Sequence, residues 1–93
     1  MSRQVVVKVA FDRAYHKLSR SDQQLVDKAL KDFERYLYSG QAPVGLGIRH
    51  LESKTYEFRV GLGLRAVYVL EEDKVMLSLL GTHDEVRDFL KRQ

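Results

Sequence analysis

The sequence predicts an α+β domain with the element order β-α-α-β-β-β and a small helix at the end. Three observations carry that reading. Apolar residues recur at helical spacing between Leu25 and Leu37, and again briefly at Val86, Phe89 and Leu90. From Thr55 onward they alternate with polar ones, and short turns interrupt the alternation. The 93 residues contain no repeat, low-complexity tract or linker, so residues 1–93 are read as one domain on one core. Consecutive strands joined by tight turns make an antiparallel-rich sheet, which packs on the hairpin of the two early helices.

The first strand is expected over Gln4–Phe11, with Val5, Val7, Val9 and Phe11 on one side and Val6, Lys8 and Ala10 on the other. Asp12 is placed to cap a short helix, Arg13–Leu18, that ends at Ser19. The best helix starts at Ser21, which has capping-box spacing to Gln24, and runs to about Tyr38. Its apolar stripe is Leu25, Val26, Ala29, Leu30, Phe33, Tyr36 and Leu37, and Asp27–Lys31 and Lys28–Asp32 have the spacing of ion pairs. Gly40 suits the C-terminal cap, and Pro43 prevents continuation. Two helices joined by a short turn raise the possibility of DNA reading, but the second is a core-packing helix without an exposed reading face.

Val44–Leu51 is a glycine-spaced segment that enters the sheet. Its Gly45-Leu46-Gly47 lacks the lysine and hydroxyl residue of a phosphate-binding loop. In Thr55–Val60, Tyr56, Phe58 and Val60 share one side; Thr55, Glu57 and Arg59 share the other. A turn at Gly61-Leu62-Gly63 pairs Val60 with Leu64 and Arg59 with Arg65, the register that keeps apolar residues together. A turn at Glu72-Asp73 pairs Glu71 with Lys74. Counting back then sets Leu70 on Val75, Tyr68 on Leu77 and Ala66 on Leu79. The opposite face receives Val69 with Met76, Val67 with Ser78, and Arg65 with Leu80. One sheet face packs on the helices and the other is expected to be partly open. A terminal helix follows over His83–Arg92, with Thr82 and Glu85 at capping-box spacing. Lys91, Arg92 and Gln93 are expected to fray.

Composition excludes several function classes. There is no cysteine, hence no disulfide, thiolate nucleophile or thiolate metal site. The three histidines, His16, His50 and His83, share no ligand spacing, so neither metal nor cofactor is expected. No apolar run approaches the roughly 18 residues that cross a membrane, and the N-terminus lacks the pattern of a secretion signal, so a cytoplasmic location is expected. A net charge of +3 permits a nucleic-acid partner without requiring one. The candidates for chemistry are therefore local. Arg59 and Arg65, directly opposed, either splay into solvent or hold an anion such as phosphate between them, with His83 converging on them and Glu57 one step along. His50 stands out in the segment that enters the sheet.

With those residues in view, the chain resembles the RelE/ParE superfamily, the small toxins of bacterial toxin–antitoxin pairs. The resemblance runs through Phe11-Asp12-Arg13, Tyr15-His16-Lys17-Leu18-Ser19, Gly45–Leu51, Tyr56–Gly61, Leu64–Tyr68 and Leu79–Glu85. The last segment looks like that of the RelE/YafQ-type mRNA interferases. The resemblance implies a RelE-like fold and a type II toxin that cuts messenger RNA in the ribosomal A site through 2′-hydroxyl attack. It also implies a cognate antitoxin that neutralises the toxin. By that resemblance His83 matches the catalytic histidine and Arg65 the arginine before the Val-Tyr of the central strand. His50 and Arg59 match further histidine and basic positions. The roles implied are His83 as general acid, Arg65 and Arg59 as phosphate ligands, and His50 or Glu57 as base, unless Glu57 instead neutralises and orients Arg59. Where several family ribonucleases carry an aromatic residue, just after or four after the histidine, this chain has Asp84 and Arg87. The alternatives within the same fold are a gyrase inhibitor without chemistry and an inert or RNA-binding member.

Overall fold

In a computed structural model, residues 3–92 are described. The elements are β1 (Gln4–Val7), α1 (Val9–Lys17), α2 (Arg20–Ser39), β2 (Arg49–Glu52), β3 (Thr55–Val60), β4 (Leu64–Glu71), β5 (Lys74–Gly81) and α3 (His83–Lys91). They form one five-stranded mixed sheet in the order β1-β5-β4-β3-β2, with β1 parallel to β5 and every other pair antiparallel. The architecture is the expected α+β arrangement on a helical hairpin, with one strand more than the expected order, because Arg49–Glu52 pairs with β3 and becomes a strand of its own. Among the described residues, no helix is long and apolar enough to cross a membrane.

The core lies between α2 and the sheet. Val26, Ala29 and Phe33 of α2 are buried against Phe58 and Val60 of β3, Ala66 and Tyr68 of β4, and Val75, Leu77 and Leu80 of β5. Phe33 is its hub, with ring centroids 4.6 Å from Phe58 and 4.7 Å from Tyr68. Aromatic contacts at these distances add to the burial term.

Helix boundaries differ from expectation at two places. The first strand stops at Val7, and the chain turns helical at Val9, so Phe11 enters the core from α1 rather than from a strand. Period-2 valines favour a strand without fixing its length, and β1 leaves β5 after Val7, opposite Leu77 and just before the irregularity at Ser78. Asp12 accordingly sits in the first turn of α1, and no side chain caps that helix. The long helix begins one turn-half earlier than Ser21: Ser19 is the cap, its Oγ accepting from the Asp22 N–H at 3.2 Å. A cap at Ser19 also lets Gln23 Nε2 donate to the Tyr15 carbonyl, which ties the two helices together. Gly40 ends α2 in the left-handed conformation, as its position predicts. Lys28 pairs with Asp32, whereas Asp27 accepts from the Tyr15 hydroxyl at 2.8 Å, another tie between α1 and α2. Gln93, expected to fray with its neighbours, lies outside the described residues.

The β3–β4 register is the one that the alternation dictates, including Arg59 opposite Arg65 and Val60 opposite Leu64. Gly61 at the turn has φ +59, and a Cβ there would approach Leu25 Cδ1 to 3.0 Å, so the turn needs glycine twice over. In β4–β5 the register holds from Glu71–Lys74 to Tyr68–Leu77 and then shifts by one residue. Ser78 is the extra residue of a bulge, so Val67 faces Leu79, Ala66 faces Leu80 and Arg65 faces Gly81. The expected pairs Ala66–Leu79, Val67–Ser78 and Arg65–Leu80 are thereby replaced. The physical gain is that Leu80, not Leu79, turns into the core, where it is buried.

α3 covers part of the second sheet face. Val67 points away from α2 and is still fully buried, and Val86 of α3 is buried with it. Phe89 lies beside Val69, Met76 and Ser78 on that side. What stays exposed on this face is Arg59 of β3, with Arg65 of β4 partly so, while Thr55 and Glu57 beside them are buried.

Two stability outcomes follow from this core. Phe33→Ala removes the hub ring and should lower the unfolding free energy by about 3–5 kcal/mol, read from urea melts. Burial pushes the Tyr68 phenol above the ordinary tyrosine value, the neighbouring Tyr36 and Tyr56 add to the shift, and Arg3 opposes it. A raised folded-state value means stability that is fully present below about pH 10 and is lost as pH rises beyond it. Melts from pH 8 to 11 should show that fall, and Tyr68→Phe should flatten it.

Candidate active site

Alternation in β3 sends Phe58 and Val60 toward α2, which turns Thr55, Glu57 and Arg59 to the other face. Arg65 of β4 lies opposite Arg59 on that face, and Gly81 lies opposite Arg65. His83 is two residues beyond Gly81, at the first helical position of α3, so it stands at the end of the sheet where Arg65 is. The turn is held by a full capping box. Glu85 N–H donates to Thr82 Oγ1 at 3.3 Å, and Thr82 N–H donates to Glu85 Oε1 at 2.9 Å. Close approach makes Gly81 part of this device, because a Cβ there would come within 3.0 Å of the Glu85 side chain.

The two opposed arginines do not face each other uncompensated. Arg65 Nη1 donates to Glu57 Oε2 at 2.6 Å, and the Glu57 side chain is only 4% exposed against 25% for Arg65. Glu57 therefore neutralises and orients Arg65, diagonal to it across the strands, and not Arg59 as anticipated. A carboxylate this deep is retained because the guanidinium fork satisfies it. Arg59 is exposed, its stem resting near Gly47, and has no carboxylate partner among the described residues. Thr55 is the other buried polar residue of this face.

His50 is not brought to the arginines. It pairs with Tyr56, so it lies on the α2 side of the sheet, its ring 5.0 Å from that of Tyr56. Its Nε2–H donates to the Ser53 carbonyl at 2.7 Å, which leaves it no reach toward Glu57 or Arg65. A second register shift causes this. Glu52 pairs with Thr55 but His50 pairs with Tyr56, so Leu51 is an extra residue in β2. Plain counting from the Ser53-Lys54 turn would set His50 against Glu57 on the arginine face. The bulge exchanges it for Arg49, which pairs with Glu57 and is exposed. Arg49 is the residue that sequence reasoning missed. No side chain in the segment announces a bulge; only the buried Leu46, whose carbonyl accepts from the Arg59 N–H, anchors the approach to β2. The resulting face presents Arg49, Arg59 and Arg65 around one buried carboxylate, with His83 at its end.

No protein-family model matches the sequence, and a comparison with curated proteins likewise finds no match. Solved structures do match in fold. The YoeB dimer from Staphylococcus aureus superposes with a TM-score of 0.69 at 15% identity, over 89% of this chain and 99% of that one. The toxin of the RelB–RelE antitoxin–toxin complex from Methanococcus jannaschii gives 0.66 at 13% identity, over 90% and 96%. YafQ in the E. coli DinJ–YafQ complex gives 0.61 at 18% identity, over 91% and 98%. The chain thus shares its fold with the YoeB, RelE and YafQ structures. Toxins are among these neighbours, and the RelB–RelE structure is an antitoxin–toxin complex.

Glu57→Ala strands a partly buried guanidinium and should cost about 1–3 kcal/mol in urea melts, below the figure for a fully buried pair because Arg65 is a quarter exposed. Glu57→Gln keeps an acceptor for Arg65 and should cost about 1 kcal/mol or less.

Proposed function

We propose that this chain is the toxin of a type II toxin–antitoxin module and acts as a ribosome-dependent endoribonuclease on messenger RNA. The observation that supports it most is Arg59 directly opposite Arg65, on a sheet face that ends at His83. Cleavage through the 2′-hydroxyl builds negative charge on a phosphorane and on the departing 5′-oxygen. Guanidinium groups placed beforehand stabilise the first, and a histidine protonates the second. In this reading Arg59 and Arg65 grip the scissile phosphate, Arg49 extends the positive face along the strand of RNA, and His83 is the general acid. Glu57 is too deeply buried to receive a proton from a bound ribose and serves by aiming Arg65. The same arginines stabilise the 2′-alkoxide, so water suffices to take its proton. His50, on the other side of the sheet, has no part in the step.

Work in the cytoplasm, on the ribosomal A site, belongs to this reading, as does neutralisation by a partner whose acidic residues cover the arginines. Arg87, exposed on α3, adds positive charge where several family ribonucleases place an aromatic ring. Selection of the codon would then rest on the ribosome-bound message more than on stacking by this chain.

New RNA 5′ ends, mapped in cells after brief induction, test the proposal. Cuts inside translated frames should appear with wild type and fall at least about 100-fold in His83→Ala and in Arg65→Ala. His50→Ala should cut like wild type. Growth arrest with DNA damage and no new ends would replace the proposal by the gyrase-inhibitor alternative.

A further inference from the structure

The α2 side of the sheet holds a second feature, at the end away from the arginines. A cleft of about 270 Å³ opens between the end of α2 and β3–β4. Tyr36, Tyr56 and Tyr68 line it with Arg3, and Leu37 and Leu70 are its apolar walls; among the described residues its lining includes no acidic side chain. Tyr68 is only 2% exposed, yet no described residue bonds its hydroxyl, which is not sealed off and so opens to the cleft. A buried ring whose hydroxyl has no partner among the described residues leaves a hydrogen-bonding group free at the cleft wall.

The way the rings pack decides what the cleft accepts. Tyr56 stacks on Tyr68 at 5.4 Å with an interplanar angle of 13°, and His50 covers its other side at 5.0 Å. Tyr68 is covered in turn by Phe33 at 4.7 Å. Neither ring keeps a free face for a nucleobase, so stacking recognition of RNA is not what this site offers. It offers hydroxyl donors and a guanidinium at the rim of a leucine-walled notch. The volume suits one large side chain and not a cofactor, which needs about 300 Å³ or more.

We propose that this cleft anchors a partner polypeptide by a bulky apolar side chain next to an aspartate or glutamate. The apolar group sits between Leu37 and Leu70, and the carboxylate accepts from the tyrosine hydroxyls and from Arg3. Charge complementarity selects the partner, since every formal charge in the lining is positive. The site lies across the sheet from the arginines, so a partner held here leaves the arginine face uncovered unless another of its segments reaches round the edge. The inference stands whether or not the chain cuts RNA.

The test titrates the ¹⁵N-labelled full chain with three probes: acetyl-Leu-Phe-Asp-Glu-amide, the same peptide with both acids replaced by lysine, and hexauridylate. The acidic peptide should give saturable shifts at the amides of Leu37, Gly40, Tyr56 and Leu70, and the lysine peptide none. Arg3→Ala should weaken that binding at least about fivefold. Tyr68→Phe, which keeps the ring and the packing, should weaken it about threefold. The proposal is overturned if the acidic peptide gives no saturable shift there, if the lysine peptide binds equally, or if both variants bind like wild type. Shifts from hexauridylate at these amides, without shifts from the peptide, would overturn it in favour of RNA.

Discussion

The pairing of β3 with β4 is the constraint on which the rest of this molecule depends. Phe58, Val60, Ala66 and Tyr68 are buried together against α2, and their alternation leaves one register in which they all face the helix. Burying such side chains is worth roughly 1.5–3 kcal/mol each, whereas two like charges across a strand pair cost about 1 kcal/mol or less. The core therefore wins, and the opposition of Arg59 and Arg65 is its unavoidable by-product. Glu57 is where the molecule turns that by-product to use. Its carboxylate draws Arg65 to one side and leaves Arg59 uncommitted.

The two sides of β3 then carry different chemistry. One side offers guanidinium groups on an open surface and a histidine at the start of α3. The other offers phenol hydroxyls at the end of a packed aromatic column running from Phe33 through Tyr68 and Tyr56 to His50. α3 makes the division sharper. By covering Val67 and lying over Met76 and Ser78, it removes apolar residues of the arginine side from solvent and leaves Arg49 and Arg59 exposed.

Much of this was readable from residues alone, and the exceptions share a cause. The β3–β4 register follows from alternation, the Thr82–Glu85 box from spacing, and the end of α2 from Gly40. The start of α2 was misplaced because Ser19 and Ser21 are both competent caps, and the choice between them is made by contacts with α1. The first strand was overextended because Val5, Val7, Val9 and Phe11 alternate well past the point at which β5 stops pairing with them. His50 and Arg49 exchanged sides, and Leu79 and Leu80 exchanged burial, each through one extra residue in a strand. Local propensity does not report such an insertion, because its advantage lies in where the next side chain lands.

Those extra residues also bear on how chains of this fold can change length. Every residue of a strand alternates in parity with the next, so losing one inverts all that follows. Leu51 and Ser78 are exempt: without either, the flanking pairs His50–Tyr56 with Glu52–Thr55, or Tyr68–Leu77 with Val67–Leu79, are already in step. A single-codon deletion within β3 or the middle of β4 would instead swap arginines for tyrosines across the sheet. The two bulges are thus the places where evolution can shorten this sheet by one residue and keep the sidedness of its surfaces.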